Sequence, residues 1–361
     1  MTPEQAEALR AVVRCRTAAL GGHLDVCPAC GYEHPSYNSC RNRHCPKCQA
    51  LAQAKWIAER EARILPTTHF HVVFTIPSEL HALARFRREE VFDLLFHATA
   101  RTLLDLGRSR FKADIGATMV LHTWTRDLRF HPHVHAIVTG GGLSLDGTEW
   151  IKSRKDFFMP VKLLGAVFRD RFVQGLCTLW RGGAFEGFEG IGDLDRLLGT
   201  VAKKSWVVYA KRPFGEARHV LRYLGRYTHR VGISNQRMVS MSDDGNVTFR
   251  TKDGKTVTLH GEEFLGRFVE HVLPKHYVKI RHVGLMAASN VNTKLAVARG
   301  LLTKTATTTT PVPSSTVMTW QDGLLALAGI DVRHCPRCGG DIERRPMPGG
   351  PNRAPSPPDT S

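Results

Sequence analysis

The sequence predicts an α+β fold, in which an antiparallel sheet carries helices on one face and a small cysteine-rich module precedes it. Three observations support this prediction. Segments rich in β-branched and aromatic residues alternate with segments of helical period, two strands are joined by a tight turn, and six of the nine cysteines lie in the first 48 residues. The interspersed helices supply the apolar layer that such a sheet needs on one side.

The most unusual bulk property of this chain of 361 residues is its formal net charge of +17. An excess of this size predicts a polyanionic partner, and nucleic acid is the commonest one. No apolar run approaches the length of a membrane span, and the first residues, MTPEQAEALR, lack a signal-peptide pattern. We therefore expect a cytoplasmic protein, associated with the nucleoid of a bacterial-type cell, that binds nucleic acid and has no membrane partner.

The first cysteines form two C-x-x-C pairs, Cys27 with Cys30 and Cys45 with Cys48. In a chain without an export signal, such pairs indicate metal sites rather than disulfides. Two pairs about fifteen residues apart can surround one tetrahedral Zn²⁺ with four thiolates. The sequence thus predicts a structural zinc site at these four cysteines, and metal binding would supply much of the folding energy of the module.

Other potential ligands lie close to this predicted site or far along the chain. Cys15, His23, Cys40 and His44 can form a second site, but we expect them to pack or to support the first one. Cys335 and Cys338 form half of a zinc knuckle, which can be completed by a histidine or by another part of the chain.

The secondary structure between the cysteine groups follows from hydrophobic period and turn residues. A linking helix over 50–65 is followed by the strand HFHVVFTIP and by a long helix. Two strands joined at Arg126 and Asp127 come next, and then a helix, a strand and a helix. In chain order these seven elements are expected at 69–77, 79–106, 117–125, 128–140, 160–180, 205–213 and 215–231.

The last third of the chain is predicted to add a β-hairpin or a meander, with turns at Asp244-Gly245 and Asp253-Gly254. A helix over 262–273 and a strand over 276–284 follow, and the Pro-rich end from Arg344 is expected to be disordered. The predicted organisation is a zinc-binding module with its linker helix, a catalytic domain, a β-hairpin and helical extension, and a C-x-x-C knuckle with a tail, over residues 1–65, 66–240, 241–330 and 331–361.

Three histidines alternate along the predicted strand LRFHPHVHAIVTG. Side chains two residues apart share one face of a strand, so His133 and His135 point the same way and offer two nitrogen ligands to a divalent metal. The pattern alone is weak, because His69 and His71 satisfy it as well.

A tyrosine pair favours His133 and His135 over the other histidine pair as the metal ligands. Tyr223 and Tyr227 lie one turn apart in a predicted helix that also carries Arg222, Arg226 and Arg230. Such a spacing is often core packing. In a strongly basic protein with a metal-binding histidine pair, two such tyrosines also suit phosphodiester cleavage. In that reaction the metal polarises a phosphate, and a tyrosine attacks it and keeps the 5′ end as a phosphotyrosine.

With these motifs, the sequence resembles the rolling-circle transposases of the HUH class, specifically the two-tyrosine insertion-sequence ninety-one family. The resemblance covers most of the chain and rests on CRNRHCPKCQ (40–49), FHVVFTIP (70–77), the hairpin LHTW…HPHVHAIVTGGG (121–142) and the block YAKRPFGEARHVLRYLGRYTHRVGISNQR (209–237). It implies a single-strand DNA endonuclease and ligase with a ferredoxin-like sheet, a divalent metal and no target duplication. His133 and His135 match the family's His-hydrophobic-His motif, Tyr223 and Tyr227 match its two nucleophiles, and His69 and His71 fall on the first strand instead.

Metal binding requires at least one further ligand. His122 lies on the partner strand and faces His133 if the turn centres near Asp127, so we favour it as the third ligand. His131 and His219 are the alternatives. The expected catalytic cation is Mg²⁺ or Mn²⁺.

The predicted partner is single-stranded DNA at the ends of the element and at its target. Besides the three arginines of the tyrosine helix, the candidate phosphate contacts flank that helix: Lys203, Lys204, Lys211 and Arg212. Two alternatives stay open, namely a replication initiator with the same chemistry and a zinc-dependent DNA-binding protein without enzymatic activity. The sequence leaves the oligomeric state unknown.

Overall fold

The structure, a computed structural model, describes residues 1–61, 63–154, 158–188, 194–211, 225, 232–251, 253–304, 319–329 and 331–347. The α-helices among them are α1 (Pro3–Arg14), α2 (Ala50–Glu61), α3 (His81–Phe86), α4 (Arg88–Leu106), α5 (Val161–Arg181), α6 (Leu194–Lys203), α7 (Gly261–Val269), α8 (Lys294–Lys304) and α9 (Trp320–Ala328). None of the helices in these ranges is long and apolar enough to cross a lipid bilayer.

The strands are β1 (Gly22–Val26), β2 (Glu33–Tyr37), β3 (His69–Thr75), β4 (Ala113–Asp114), β5 (Gly116–Trp124), β6 (Phe130–Thr139), β7 (Gly141–Ser144), β8 (Trp150–Lys152), β9 (Val208–Lys211), β10 (Met238–Met241), β11 (Asn246–Arg250), β12 (Thr256–His260), β13 (Ile280–Gly284) and β14 (Glu343–Pro346). The elements form two compact units. Unit 1 contains Met1–Ala58, Gly225–Val272 and Pro311–Ser361, and unit 2 contains Glu59–Leu224 and Leu273–Thr310. The domain boundaries proposed from the sequence stay predictions.

Unit 2 is built on a five-stranded sheet in the order β13-β5-β6-β3-β9, with every neighbouring pair antiparallel. Without the edge strand β13, the chain order β3-α4-β5-β6-α5-β9 is the ferredoxin-like pattern. The predicted fold class is therefore confirmed.

Both long helices of this pattern pack on one face of the sheet. Alternate residues of each strand point into that layer, such as Phe74 of β3, whose ring meets Phe168 of α5 at a centroid distance of 5.1 Å. Val134 of β6 and Phe92 of α4 are completely buried in the same core. The residues between them in each strand consequently lie on the opposite face, and that face carries the histidines.

The predicted helix over 79–106 is wrong in one respect, because the structure divides it at Arg87. This residue has φ −122° and ψ 72°, which lies outside the helical region, so α3 ends before it and α4 begins after it. Each segment still buries its own apolar residues, Leu83 in α3 and Leu95 in α4.

The three glycines that follow the histidine strand lie where neighbouring chain leaves no room for a side chain. A Cβ atom at Gly140 would collide with Thr68, and one at Gly141 or Gly142 would collide with a backbone carbonyl of an adjacent strand. Here the chain leaves the central sheet and enters a second small sheet, β4-β7-β8, which the sequence did not predict. Close backbone approach is thus the structural reason for the run of glycines.

Unit 1 contains two further three-stranded sheets, β14-β1-β2 and β10-β11-β12. The second is the predicted meander, with its turns at the expected Asp-Gly pairs. The first contradicts one prediction, because β14 extends into the segment expected to be disordered from Arg344 and pairs with β1 from His23↔Pro346 to Val26↔Glu343. Residues 348–361 of that segment lie outside the described residues.

Candidate metal centres

The histidine centre of unit 2 is positioned by strands β3, β5 and β6. His133 and His135 lie on the face of β6 that points away from the helices, and His122 of β5 pairs directly with His133. The register expected from a turn near Asp127 is confirmed, since Thr125 and Arg129 close that turn through a 2.9 Å backbone hydrogen bond. Antiparallel pairing therefore brings His122 next to two histidines that lie eleven and thirteen positions later in the sequence.

The three rings are close enough to share one cation. One nitrogen from each of His122, His133 and His135 lies within 4.8 Å of the other two. The ring centroids of His122 and His135 are 4.2 Å apart, and those of His133 and His135 are 4.8 Å apart. His122 is 4% exposed and His135 is 9% exposed, whereas His133 is half-buried. The centre thus lies at the margin of the buried sheet face.

Two hydrogen bonds orient the rings of His133 and His135. His133 Nδ1 donates to the carbonyl of His131 over 2.7 Å, so Nε2 is the unprotonated nitrogen of the neutral ring. His135 Nδ1 lies 2.7 Å from His71 Nε2. If His135 donates this bond, its Nε2 is likewise the ligand atom, because an outer hydrogen bond sets the tautomer of a metal-binding histidine.

His71, which the sequence analysis assigned to the first strand of the sheet and not to the metal site, contacts the three-histidine group. It lies on β3, is 2% exposed, and faces the same side of the sheet as the three-histidine group. Its ring is nearly parallel to that of His135, at an interplanar angle of 10°. The pairing of β3 with β6 could have identified this contact, because it places His71 diagonally across from His135.

His69 lies two residues earlier on the same strand and has a different environment. Its Nδ1 donates to the carbonyl of Thr67 over 2.9 Å, and it pairs with Thr139 at the far end of β6. Complete burial lowers the pKa of His69 to about 4, only partly offset by the bond to Thr67. His69 is therefore a neutral core residue and a natural control for His71.

Of the two alternative third ligands, His131 is not part of this group among the described residues. The ring centroid of His131 lies 5.5 Å from that of His81 and 5.3 Å from that of His133, and burial lowers the pKa of His131. His219 lies outside the described residues.

The donor set decides which cations fit the histidine centre. Three neutral imidazoles bind first-row transition ions better than they bind Mg²⁺, which prefers oxygen ligands in an octahedral shell. Of the two predicted ions, Mn²⁺ is therefore the better match. Three protein ligands leave coordination positions open for water and phosphate oxygens.

The predicted DNA contacts and nucleophiles lie partly within and partly outside the described residues. Lys203 and Lys204 are exposed at the end of α6, and Lys204 forms an ion pair with Glu79, which lowers the pKa of that carboxyl. Lys211 belongs to β9, but its side chain is not described. The remaining candidates lie outside the described residues: Tyr223, Tyr227, Arg222, Arg226, Arg230 and Arg212.

The cysteines of unit 1 form two groups of four. Cys15, Cys40, Cys45 and Cys48 compose the first, and Cys27, Cys30, Cys335 and Cys338 compose the second. All four cysteines predicted to bind zinc lie in such groups, but they are divided between two. The structure therefore corrects the prediction of one site at Cys27, Cys30, Cys45 and Cys48, and it makes Cys15 and Cys40 potential ligands.

We call the first group the proximal cluster. The sulfurs of Cys40 and Cys48 are 3.8 Å apart, and the amides of Cys40 and Lys47 donate to the sulfurs of Cys15 and Cys45. Zn–S bonds of about 2.3 Å in a tetrahedron require sulfurs about 3.8 Å apart. A disulfide requires about 2.0 Å, so the geometry fits four thiolates around zinc.

The electrostatics of the proximal cluster favour at least one thiolate. The hydrogen bond from Cys45 is the main cause that lowers the pKa of Cys48 to about 5, against the opposing effect of burial. The same interaction raises the pKa of Cys45, which donates. Zn²⁺ binds thiolates, so a cation there would replace these shared protons.

Comparison with protein families gives two matches. Residues 1–76 match the model described as "Transposase zinc-binding domain", and residues 116–294 match the model described as "Putative transposase". The first range includes the whole proximal cluster, and the second includes the three-histidine group.

Comparison with individual proteins gives relatives of the same kind. The chain is 42% identical to the "Putative transposase y4qJ" of Sinorhizobium fredii, over 94% of this chain and 88% of the relative. It is 27% identical to the "Transposase for insertion sequence element IS801" of Pseudomonas savastanoi pv. phaseolicola, over 78% of this chain and 70% of the relative. Among solved structures, the conjugative relaxase TrwC in complex with oriT DNA matches at 14% identity, over 45% of this chain and 72% of that chain, with a TM-score of 0.26.

The corrected grouping of the cysteines predicts that Cys40→Ser removes one equivalent of zinc per chain. Serine keeps the size of the side chain but lacks the thiolate that zinc requires. The measurement is the metal content of purified full-length protein, with Cys177→Ser as the matched control, since Cys177 belongs to neither cluster. Full retention of zinc in Cys40→Ser would restore the original grouping of Cys27 and Cys30 with Cys45 and Cys48.

Proposed function

The chain belongs to the insertion-sequence ninety-one family of transposases, and from this premise we propose that it cuts and rejoins single-stranded DNA through a 5′-phosphotyrosine. The proposed reaction moves an insertion sequence by the rolling-circle route. The observation that carries the proposal is the group of three imidazoles, His122, His133 and His135, on the open face of the sheet.

The three histidines are proposed to hold a divalent cation, Mn²⁺ or Mg²⁺. When bound, the cation would polarise the scissile phosphate and stabilise the charge that develops on its oxygens. His133 and His135 are held by outer hydrogen bonds before any substrate arrives, so little reorganisation is needed on binding. His122 is held by pairing with β6 and by its contact with the indole of Trp124, at 4.8 Å between centroids.

Tyr223 and Tyr227 are the proposed nucleophiles, on the grounds of their spacing in the sequence. A free phenol has a pKa of about 10 and attacks poorly at neutral pH, so loss of its proton must be favoured near the phosphate. The phosphotyrosine ester conserves the energy of the broken bond for rejoining. Only one tyrosine is needed for each cut, and a second allows the enzyme to hold one 5′ end while it cuts another strand.

The basic surface is proposed to hold the DNA strand. Phosphate contacts supply affinity without sequence information, which suits a strand that passes through a cleavage site. Candidates are the cations at and around the tyrosine segment: Arg222, Arg226, Arg230, Lys203, Lys204, Lys211 and Arg212. The proposed substrates are element ends and target DNA in the cytoplasm of a bacterial-type cell, and the zinc-binding module is proposed to contribute to end recognition.

The metal centre can be tested by substituting its ligands. His133→Ala and His135→Ala should each lower cleavage of single-stranded DNA at least ~100-fold, because a cation contributes several kcal/mol to the transition state. DNA binding should largely survive, since phosphate contacts elsewhere carry it. Initial cleavage rates in Mn²⁺ and binding by fluorescence anisotropy are the two measurements.

His131→Ala is the matched control for these two variants, because this histidine lies on the same strand outside the group. Its carbonyl, which orients His133, is backbone and stays in place. Wild-type cleavage rates in both His133→Ala and His135→Ala would refute the assignment. A loss in His131→Ala equal to theirs would make His131 the third ligand.

The nucleophiles can be tested by Tyr→Phe changes, which keep the ring and delete only the oxygen. We expect a covalent adduct between the protein and the 5′ end of the cut strand, and peptide mapping should place it on Tyr223 or Tyr227. The double variant should form no adduct, while each single variant should lose more transposition than simple nicking. An adduct that persists in the double variant would contradict the assignment of both tyrosines as nucleophiles, without affecting the proposed metal centre.

The role of His71 can be tested through the metal requirement of cleavage. His71→Leu removes the partner of His135, and loss of such an outer partner typically weakens metal affinity about 10–100-fold. We therefore expect the half-saturating Mn²⁺ concentration to rise by this factor, with cleavage restored at high Mn²⁺.

Two further variants separate positioning from general damage to the core. His71→Gln retains a polar atom near the position of Nε2 and should restore part of the affinity, whereas His69→Leu should leave the Mn²⁺ requirement unchanged. An equal shift in His69→Leu and His71→Leu, without rescue by glutamine, would reduce His71 to a core residue.

A further inference from the structure

The second group of cysteines joins two segments that lie far apart in the sequence. Cys27 and Cys30 follow β1, whereas Cys335 and Cys338 precede β14, and 305 residues separate Cys30 from Cys335. The two segments meet because β14 pairs with β1 at the edge of the sheet β14-β1-β2. An ion pair reinforces this pairing, since Arg344 of β14 lies 3.0 Å from Asp25 of β1.

The sulfur geometry of this group, which we call the distal cluster, matches a tetrahedral thiolate site. Sulfurs from opposite segments form the close pairs, Cys27 with Cys338 at 3.5 Å and Cys30 with Cys335 at 3.6 Å. These distances are near the about 3.8 Å expected for four thiolates around Zn²⁺, and they are well beyond the about 2.0 Å of a disulfide. One cysteine of each segment is buried and the other is exposed.

The two segments also have the same turn. Both read C-P-x-C-G, and in both the glycine has a positive φ, +70° at Gly31 and +76° at Gly339. In each turn the amide of that glycine donates to the carbonyl of the first cysteine over 2.9 Å, Gly31 to Cys27 and Gly339 to Cys335. Such turns leave both sulfurs of a segment on one side, where they can bind one ion.

The third C-P-x-C sequence of the chain has a glutamine in place of the glycine. It spans Cys45 to Cys48 and belongs to the proximal cluster. The two glycine-ended turns therefore pair with each other, although they are the most distant of the three in sequence. The matched zinc-binding family ends at residue 76 and contains only half of the distal cluster.

We propose that Cys27, Cys30, Cys335 and Cys338 bind a second structural zinc ion, so that residues 331–347 complete the N-terminal zinc-binding module. The chain then holds two zinc ions, one in each cluster. The strand pairing of β14 with β1 spans only four residues, and zinc–thiolate bonds from both segments would hold the two strands together. This proposal is independent of the proposed cleavage chemistry.

The decisive variant is Cys338→Ala in the full-length chain. Cys338 is exposed, so its removal leaves no cavity in a packed core, and any effect on structure comes through the metal. We expect two zinc equivalents in the unsubstituted chain and in Cys177→Ser, and one equivalent in Cys338→Ala, by elemental analysis of reduced protein. Cys338→His keeps a zinc ligand and should retain two equivalents.

Hydrogen exchange adds a second measurement on the same samples. Loss of the distal ion should expose the amides of residues 343–345 and of their partners in β1, while the turn at Cys45–Cys48 keeps its protection. Two zinc equivalents in Cys338→Ala, or one equivalent in the unsubstituted chain, would overturn the proposal. Thiol counting in denaturant would do so as well if it found the four cysteines joined in disulfides.

Discussion

Pairing of β6 on both of its edges is the constraint on which the histidine centre depends. This strand lies between β5 and β3, and its two registers determine which residues of three strands share a face. Val134, Ala136 and Val138 are buried beneath the helices, so the alternate residues must face the other way. A slip by one residue would expose that apolar set and bury the histidines, and the hydrophobic effect thus holds the imidazoles in position.

The same arrangement explains why histidines are tolerated on a largely buried face. A buried polar group is costly unless it has a partner, and one ring nitrogen of His133 and one of His135 each have a partner. The carbonyl of His131 accepts from His133, and the ring of His71 bonds to that of His135. One nitrogen of each of these two imidazoles is therefore held by the protein.

The sequence was sufficient for those features that depend on local periodicity. Alternation in β6 predicted the shared face of His133 and His135, and the polar turn at Asp127 predicted the pairing with His122. It was insufficient where contacts depend on strand order or on distant segments. His71 reaches His135 only because β3 pairs with β6, and Cys30 meets Cys335 only because β14 pairs with β1. Grouping cysteines by proximity in the sequence therefore chose the wrong partners, although it chose the right ligand type.

The separation between the two halves of the distal cluster also delays its assembly during synthesis of the chain. Chains are synthesised at about 5–20 residues per second, so the 305 residues between Cys30 and Cys335 take roughly 15–60 s to make. For that interval Cys27 and Cys30 have no native partners, while Cys45 and Cys48 are already present a few residues away. The unfinished chain can thus form the grouping of Cys27 and Cys30 with Cys45 and Cys48 that the sequence suggests. If two zinc ions are bound, as proposed, pairing of Cys15 and Cys40 with Cys45 and Cys48 at this stage leaves Cys27 and Cys30 for Cys335 and Cys338, which are made last.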